Sequence, residues 1–228
     1  MSTTMRAIQP ANSLPPRPET PGLTADALDF LEQFGSTVRV RQGHKIYGAG
    51  EPAAFCWKLL SGCARTVKFM ADGRRQVAEF LWPGDLLGLD DVGTHYFAAE
   101  AVTDTMLRRY PRSAVEAQAN RHPDLALRLR SLALANLRRA HQQIILLGRE
   151  TAKERVVSFL LDMDDHAVTA EGRLMVLPMS RTDIADYLGL SIETVCRHLV
   201  RLQREGILAI RRTGIELLDR AALREITS

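Results

Sequence analysis

The chain has 228 residues, of which 46% are hydrophobic and 25% charged, and its formal net charge at pH 7 is +3. No apolar run approaches the roughly 18 residues that a membrane-spanning helix needs, and the N-terminal residues lack the apolar core of a signal peptide. The three cysteines form no C-x-x-C pair, and their odd number argues against a disulfide framework, so we expect a cytoplasmic protein. The small charge neither requires nor excludes nucleic acid as a partner.

The first 120 residues are predicted to contain an arm and an all-β domain. Residues 1–22 hold half of the ten prolines, which predicts a disordered arm, and "TADALDFLEQFG" predicts a short helix after it. From about Val38 to Tyr110, turns marked by glycine alternate with the β-type runs "STVRV", "FCWKLL", "RTVKFM", "QVAEFLW" and "TMLRRY". Short strands at this spacing are typical of a sandwich or barrel, so residues 23–120 are predicted to form a β-roll.

A long helix is predicted over residues 121–148. Apolar residues recur there at steps of three and four and form one continuous seam. We assign to this seam Leu129, Ala133, Leu137, Ala140, Ile144 and Leu147. The seam suits packing within one protomer as well as pairing of two copies, and its small alanines favour the pair because they allow two helices to approach closely.

Residues 149–228 are predicted to form a winged helix-turn-helix domain. A helix, "TAKERVVSFLLDMDD", and a strand, "RLMVLP", precede two helices joined at a glycine. A hairpin, "ILAIRRTGIELLD", is predicted to turn at Thr213-Gly214, and a short helix follows it. The predicted fold class is therefore α+β, with an N-terminal β-roll of the jelly-roll type, a long dimerisation helix and a C-terminal winged helix-turn-helix.

The helix-turn-helix is predicted from "SRTDIADYLGLSIETVCRHLVRL". Ser180 can cap the first helix, with Asp183 three residues later, and Ser191 can cap the second. Ala185 is small where the two helices must cross, and Gly189 can adopt the left-handed conformation of the turn. In such a motif the second helix enters the major groove of DNA.

The exposed positions at the start of the second helix are predicted to read base edges. These positions are Ile192, Glu193, Cys196 and Arg197. A carboxylate can accept a hydrogen bond from the cytosine amine, and an arginine can donate two to guanine. Glu193 and Arg197 lie one turn apart, so they could equally form a surface ion pair, which would pre-orient both side chains.

Phosphate contacts are predicted around the same helix and at the hairpin. Between residues 191 and 212 there are five arginines and two glutamates, although residues 149–228 as a whole hold twelve basic and thirteen acidic residues. The positive charge is therefore local, as expected where a protein meets the DNA backbone. The predicted contacts are Ser180, Arg181, Ser191, Thr194, Arg201, Arg211 and Arg212.

These features together resemble the Crp–Fnr superfamily of bacterial transcription regulators. The resemblance rests on "IYGAGEPAAFCWKLLSGCARTVKF", "DGRRQVAEFLWPGDLLGL", "AKERVVSFLL" and the helix-turn-helix string. It implies a cyclic-nucleotide-binding-like β-roll, a homodimer, a palindromic double-stranded DNA operator and contact with RNA polymerase. The E-x-x-x-R frame is similar to the Fnr and FixK side, which implies control of genes at low oxygen through TTGA–TCAA sites. There Glu193 and Arg197 would read the C·G and G positions of each half-site.

Two departures from the superfamily narrow the resemblance. Members that bind cyclic AMP carry a Gly-Glu and, later, an arginine for the cyclic phosphate, but this chain has Gly84-Asp85 and Phe97-Ala98-Ala99 there. Residues 1–55 contain no cysteine, and Cys56 with Cys63 provide two thiols where an iron–sulfur cluster needs four ligands. We therefore expect no cofactor and no metal, and the chain looks like the FixK-type branch, which has no known small-molecule ligand.

Other functions remain as alternatives. A ligand-gated regulator would hold a haem, a nucleotide or a metabolite in the β-roll. An enzyme is not expected, because the six histidines are scattered and no nucleophile constellation is visible.

Cys196 has two interpretations. It stands where relatives often carry serine, so it could be a plain substitute. It also lies in the first turns of a helix beside Arg197, where the helix N-terminus and a cation lower a thiol's pKa, and oxidation there would place negative charge against phosphates. Cys56 and Cys63 fall in strand-like runs and are expected to be buried small hydrophobes.

Overall fold

A computed structural model describes residues 31, 33–89, 93–164, 174–212 and 214–227 of the chain. The arm predicted over residues 1–22 lies outside the described residues, and so do eight of the twelve residues of the helix predicted after it. The described part contains eleven strands and six helices, with the β-rich half first. The predicted order of β-roll, long helix and winged helix-turn-helix is confirmed.

The N-terminal half is built from two antiparallel four-stranded sheets, with strand orders β1-β8-β3-β6 and β2-β7-β4-β5. The strands are β1 (Ser36–Val40), β2 (Lys45–Tyr47), β3 (Phe55–Ser61), β4 (Ala64–Phe69), β5 (Arg75–Leu81), β6 (Leu86–Leu87), β7 (Ala98–Ala101) and β8 (Thr105–Pro111). The five predicted runs coincide with β1, β3, β4, β5 and β8. The other three strands have two to four residues, too few for alternation to be recognised.

Two helices connect the β-roll to the C-terminal half. Helix α1 (Arg112–Arg121) corrects the prediction of an all-β segment up to residue 120, and it was hidden because it buries only Val115 and Gln118. Helix α2 (Pro123–Arg149) is the predicted long helix, and its 27 residues span about 40 Å at 1.5 Å per residue. Pro123 occupies the first turn, where its missing N–H costs no helical hydrogen bond.

The C-terminal half has the predicted sequence of elements. They are α3 (Ala152–Asp164), β9 (Leu174–Met175), α4 (Arg181–Leu188), α5 (Ile192–Arg204), β10 (Leu208–Arg211), β11 (Gly214–Leu217) and α6 (Arg220–Ile226). The three strands form one antiparallel sheet in the order β10-β11-β9.

The β10–β11 hairpin differs from its prediction by one residue. Arg211 pairs with Gly214, so Gly214 belongs to strand β11 and not to the turn; Thr213 lies outside the described residues. Gly214 serves a close approach, because a Cβ atom there would collide with the carbonyl oxygen of Met175 on the neighbouring strand.

The apolar core is continuous between the two halves. One buried cluster joins Val67, Val77 and Phe80 of the β-roll to Phe159 and Ile184 of the C-terminal half. Phe80 packs against Phe159 at 6.4 Å between ring centroids. The β-roll and helix α4 therefore share one interior and do not merely touch at the surface. Within the described ranges, no helix is long and apolar enough to cross a membrane.

Candidate nucleic-acid interface

The turn between helices α4 and α5 has the conformation that the sequence predicts. The Ser180 hydroxyl accepts from the Asp183 backbone N–H at 3.1 Å, and the Asp183 carboxylate accepts from the Ser180 N–H at 3.1 Å. This is a reciprocal capping box. Helix α4 ends at Gly189, whose φ of 63° is left-handed, and Ser191 caps helix α5 by accepting from the Thr194 N–H.

Helix α5 is strongly amphipathic. Its inner face consists of Val195, Leu199 and Leu202, which are buried in the shared core. The four residues predicted to read bases are all exposed and lie together on the outer face: Ile192, Glu193, Cys196 and Arg197. The structure therefore brings these predicted base-reading positions to one accessible surface at the start of the helix.

The ion pair considered between Glu193 and Arg197 is not formed within the described part of the chain. Arg197 instead donates from Nη2 to the Thr194 hydroxyl at 3.3 Å. Glu193 accepts from its own backbone N–H and from the Ser191 hydroxyl, and these hydrogen bonds lower the pKa of its carboxyl group. Both groups are thus charged and accessible on the outer face, and neither neutralises the other.

The residues predicted to contact phosphate differ in exposure and in whether they already form an ion pair. Ser180, Ser191 and Arg212 are exposed, and Thr194 is half-buried. Arg201 pairs with Glu205 at 2.8 Å, and Arg211 of the hairpin pairs with Glu216 at 2.7 Å. These two arginines are themselves mostly exposed and would have to exchange a carboxylate for a phosphate, which costs little at a surface.

Arg181 and His198 lie partly beneath the exposed surface. Burial lowers the pKa of Arg181, and the neighbouring Cys196 opposes this shift. Burial also lowers the pKa of His198, with further lowering from Arg197, Arg201 and Lys153. His198 is therefore mostly neutral at pH 7, and its Nδ1 is buried with no hydrogen-bond partner among the residues that the structure describes.

Arg155 joins the long helix to the helix-turn-helix, a role that the sequence does not indicate. It donates from Nη2 to the Leu147 carbonyl at 2.7 Å and from Nη1 to the Leu188 carbonyl at 3.1 Å. Its Nε donates to the carbonyl of Glu150 between helices α2 and α3. One guanidinium thus caps the C-terminal ends of α2 and α4 together.

A second contact missed by sequence reasoning ties helix α4 to the β-roll. Arg65 and Arg75 reach from strands β4 and β5 to Asp183, and Arg75 also reaches Asp186. From the sequence alone, Asp183 is predicted only to take part in the cap of helix α4. No local sequence pattern indicates these ion pairs, because the partners are separated by more than 100 positions along the chain.

The long helix α2 carries an exposed apolar stripe. Leu137 and Ile144 of the predicted seam are exposed, whereas Leu129 and Leu147 pack against the protomer's own clusters. Ala133 and Ala140 are also exposed. The large apolar side chains that continue the stripe outside the predicted seam are Leu127, Leu134 and Ile145.

The β-roll and helices α1 and α2 line a cavity of about 480 Å³. Its walls are mostly apolar, with Asp85, Arg112 and Arg139 among the lining residues. Cys56 also lines it, whereas Cys63 belongs to a different buried cluster; both cysteines are buried, as predicted, and Cys196 is exposed. Phe97, where the phosphate-binding arginine of cyclic-nucleotide binders would stand, packs edge-on against Tyr96.

The two halves match two protein families. A family described as the cyclic nucleotide-binding domain matches residues 37–122, and one described as the Crp-like helix-turn-helix domain matches residues 154–226.

Similar proteins extend over most of the chain. The nitrogen fixation regulation protein FixK of Azorhizobium caulinodans is 41% identical over 209 residues, covering 90% of this chain and 84% of that protein. The transcriptional activatory protein AadR of Rhodopseudomonas palustris is 35% identical over 197 residues, covering 86% and 82%. The solved structure of FixK2 from Bradyrhizobium japonicum is 40% identical, with a TM-score of 0.81, and covers 85% of this chain and 98% of that one. These relatives are named as regulators, not enzymes, and the chain belongs to the Crp–Fnr family of transcription regulators, with FixK proteins among its relatives.

Proposed function

We propose that the protein is a homodimeric, sequence-specific regulator that reads DNA with helix α5. The main support for this proposal is the exposed outer face of α5, where Glu193 and Arg197 present an acceptor and a forked donor one turn apart. Cys196 and Ile192 lie beside them and provide the remaining base-edge contacts. Ser180, Arg181, Ser191, Thr194, Arg201, Arg211 and Arg212 surround this face as the phosphate contacts.

The proposed dimer forms through helix α2. Leu134 and Ile144 expose 58% and 66% of their surface on this helix. A contiguous exposed apolar stripe of this kind is typical of a protein–protein interface. Pairing two copies of α2 covers the stripe and places two recognition helices on one side of the molecule. We accordingly divide the chain into an arm (1–22), a β-roll domain that ends in helix α1 (23–120), a dimerisation helix (121–148) and a DNA-binding domain (149–228).

Leu134→Glu tests the dimer without touching the cavity lining. A charge at an unpaired apolar stripe is costly only if a partner covers it, so we expect sedimentation to show a monomer and binding to a two-fold operator to be lost. Leu60→Glu, at an exposed leucine of the β-roll, serves as the control and should stay dimeric. A dimeric Leu134→Glu protein would refute this interface.

The proposed targets are genes of the low-oxygen type, activated through contact with RNA polymerase at two-fold TTGA–TCAA sites. The names of the FixK and AadR relatives and the E-x-x-x-R frame of α5 support this proposal. We propose that the activity needs neither a cyclic nucleotide nor an iron–sulfur cluster. Phe97 at the phosphate position and the separation of Cys56 from Cys63 in different clusters support both absences.

Oxidation of Cys196 is the proposed point of redox control. The thiol is exposed on the face that would meet DNA, so an oxidised sulfur would bring negative charge against the phosphate backbone. Wild type and Cys196→Ser should bind equally when reduced, and peroxide should abolish binding only by wild type. Equal loss in both would leave Cys196 as a plain substitute for serine.

Selection of bound sequences from a random double-stranded DNA pool tests the whole proposal. We expect a two-fold site whose half-sites lie about one helical turn apart, centre to centre. Selection with and without reductant tests Cys196 in the same experiment. A pool that yields no two-fold consensus would overturn the proposed function.

A second candidate is a ligand-gated regulator, favoured by the cavity between the β-roll and α2. Arg139 lines this cavity, and its Nε is buried without a hydrogen-bond partner among the described atoms. Calorimetry with cyclic AMP and cyclic GMP, and absorption titration with haemin, test this candidate. Binding of any of these that changes operator affinity would replace the proposal of a ligand-free regulator.

A further inference from the structure

We infer that a charge cluster between the β-roll and helix α4 orients the recognition helix, which makes Arg65 and Arg75 positioning residues for two-fold operator binding. The cluster consists of Arg65, Arg75, Glu100, Asp183 and Asp186, and we call it the interdomain cluster. Its two arginines belong to the β-roll, and their ion-pair partners among the described residues lie outside the proposed DNA-reading face. The inference rests on the proposed function, since orientation matters only if two copies read one operator.

One carboxylate lies at the centre of the cluster and serves two purposes. Asp183 Oδ1 accepts from Arg65 Nη1 at 2.6 Å and from Arg75 Nη2 at 2.6 Å. Asp183 Oδ2 accepts from the Ser180 backbone N–H at 3.1 Å, which is part of the capping box of α4. The group that begins the first helix of the motif is therefore also the group that the β-roll binds.

Each arginine also binds a second carboxylate, which differs between the two. Glu100, on strand β7, binds the Nε and Nη2 of Arg65 at 3.0 and 2.7 Å, which leaves Nη1 for Asp183. Arg75 donates from Nε to Asp186 at 2.7 Å while its Nη2 reaches Asp183. Forked contacts of this kind fix direction as well as distance, because the guanidinium is planar and its donors are rigidly spaced.

The cluster is mostly removed from water. The exposed fraction of the side chain is 8% for Asp183, 13% for Arg65 and 19% for Arg75. A partly buried charge that loses its partner cannot recover full hydration, so a rotated α4 would leave unpaired charges behind. The cluster therefore favours one orientation of the DNA-binding domain over its neighbours.

The other end of helix α4 is held by uncharged contacts. Gln76 of strand β5 and Gln143 of helix α2 both donate to the Tyr187 carbonyl, at 3.3 and 2.9 Å. The Tyr187 ring packs against Phe80 of the β-roll at 5.4 Å between centroids. With both ends of α4 attached to the β-roll, the direction of α5 follows, because α4 and α5 share a buried core and one tight turn.

This attachment predicts a preference for one half-site spacing. Two recognition helices fit successive major grooves only if their separation and angle match the DNA, so a fixed orientation favours one spacing and penalises the others. A domain released from the β-roll would still read a half-site with the same side chains. However, orienting the released domain on an operator of the correct spacing would cost free energy. Adapting it to an altered spacing would cost less than it does in the attached domain.

The test measures binding of full-length wild type, Arg65→Ala and Arg75→Ala to three kinds of DNA. These are the selected two-fold operator, the same operator with one or two base pairs inserted between half-sites, and a single half-site. For the variants, we expect affinity for the operator to fall about tenfold, on the scale of typical coupling between distant sites. We expect the penalty for altered spacing to shrink and half-site affinity to stay unchanged.

Arg74→Ala is the matched control. Arg74 is the neighbour of Arg75, pairs with Asp72 at 2.7 Å, and leaves 81% of its side chain exposed, so its loss should change neither affinity nor spacing preference. Arg75→Lys retains the charge without the fork and should fall between wild type and Arg75→Ala. It also keeps the test valid if Arg75→Ala does not fold.

Each remaining outcome is decisive. Variants that keep wild-type affinity and wild-type spacing preference would overturn the inference while leaving the proposed function intact. Equal losses on the half-site and the operator would mean that the cluster supports the fold of the motif and not its orientation. A wild-type protein that binds no two-fold DNA would remove the proposed function and the inference with it.

Discussion

Two arginine-rich regions of the molecule use the same side chain in opposite ways. In the interdomain cluster, Arg65 and Arg75 are 13% and 19% exposed, and each binds two carboxylates. At the proposed DNA surface, Arg201 and Arg211 are 63% and 56% exposed, and each pairs with a carboxylate on or next to its own element. The first pair is committed to the protein, whereas the second remains available to a partner.

Burial decides which of these roles an arginine can take. An exposed ion pair contributes little to stability, so Arg201 and Arg211 can leave their carboxylates for a phosphate at small cost. A desolvated pair loses far more when one member is removed, because the other is left partly buried without its counter-charge. The cluster is therefore suited to fix an orientation, and the surface is suited to bind and release DNA.

The largest effect on stability is expected from Asp183→Ala, which removes the central carboxylate of the interdomain cluster. It leaves two arginines without a shared partner and removes the carboxylate half of the α4 capping box, which together should cost about 3–5 kcal/mol of unfolding free energy. Thermal unfolding should shift down by roughly 10 °C for a chain of this size. Asp72→Ala, which removes the exposed partner of Arg74, is the control and should leave the melting temperature unchanged. Similar shifts in both would contradict the contrast.

The next effect concerns the DNA surface alone. Arg197→Ala should weaken operator binding by about 1–3 kcal/mol and relax specificity at one base pair, because a forked donor to guanine is lost. The melting temperature should not change, since within the described part of the chain the side chain of Arg197 makes a single surface hydrogen bond, to Thr194. Binding to variant operators by titration checks this prediction. A loss that is uniform across all sequences would make Arg197 a phosphate contact instead.

A smaller effect is expected at the turn between the two helices. Gly189→Ala should cost about 1–2 kcal/mol of stability, because a Cβ is unfavourable in the left-handed conformation. A Cβ there would meet Leu147 Cδ2 at 3.4 Å and Arg155 Nη1 at 3.6 Å, which are ordinary contacts, so the cost is conformational and not steric. Gly148→Ala, with open space around its Cβ, is the control. Chemical denaturation of both variants measures the difference.

The smallest expected effect is a pH dependence from His198. Because burial and neighbouring cations lower its pKa below the ordinary 6.5, the unfolded chain binds this proton more readily than the folded one. The stability that His198 contributes is complete above pH 6.5 and is lost as the pH falls toward the lower pKa of the folded state. His198→Gln should flatten that part of the stability profile between pH 7.5 and 5.5. An unchanged slope would show that other groups carry it.

Local patterns were sufficient for most of the fold. Alternation located five strands, and the reciprocal cap of Ser180 with Asp183 located the start of α4. They failed where the signal is short or weak, as in the two-residue β6 and in α1, which buries few residues. Gly214 was assigned to the turn because glycine usually serves turns, but here it permits contact with strand β9.

For the candidate site, the sequence alone determined which residues lie on the outer face of α5. Only the tertiary structure determined how the helix-turn-helix is attached to the β-roll. The periodicity of α5 is enough to place Ile192, Glu193, Cys196 and Arg197 on one accessible surface, because helical geometry depends only on spacing. Nothing in the local sequence couples Arg65 or Arg75 to Asp183, since ion pairs between distant segments exist only once the β-roll and α4 are packed together. That packing also decided which arginines are buried in ion pairs and which remain exposed at the proposed DNA surface.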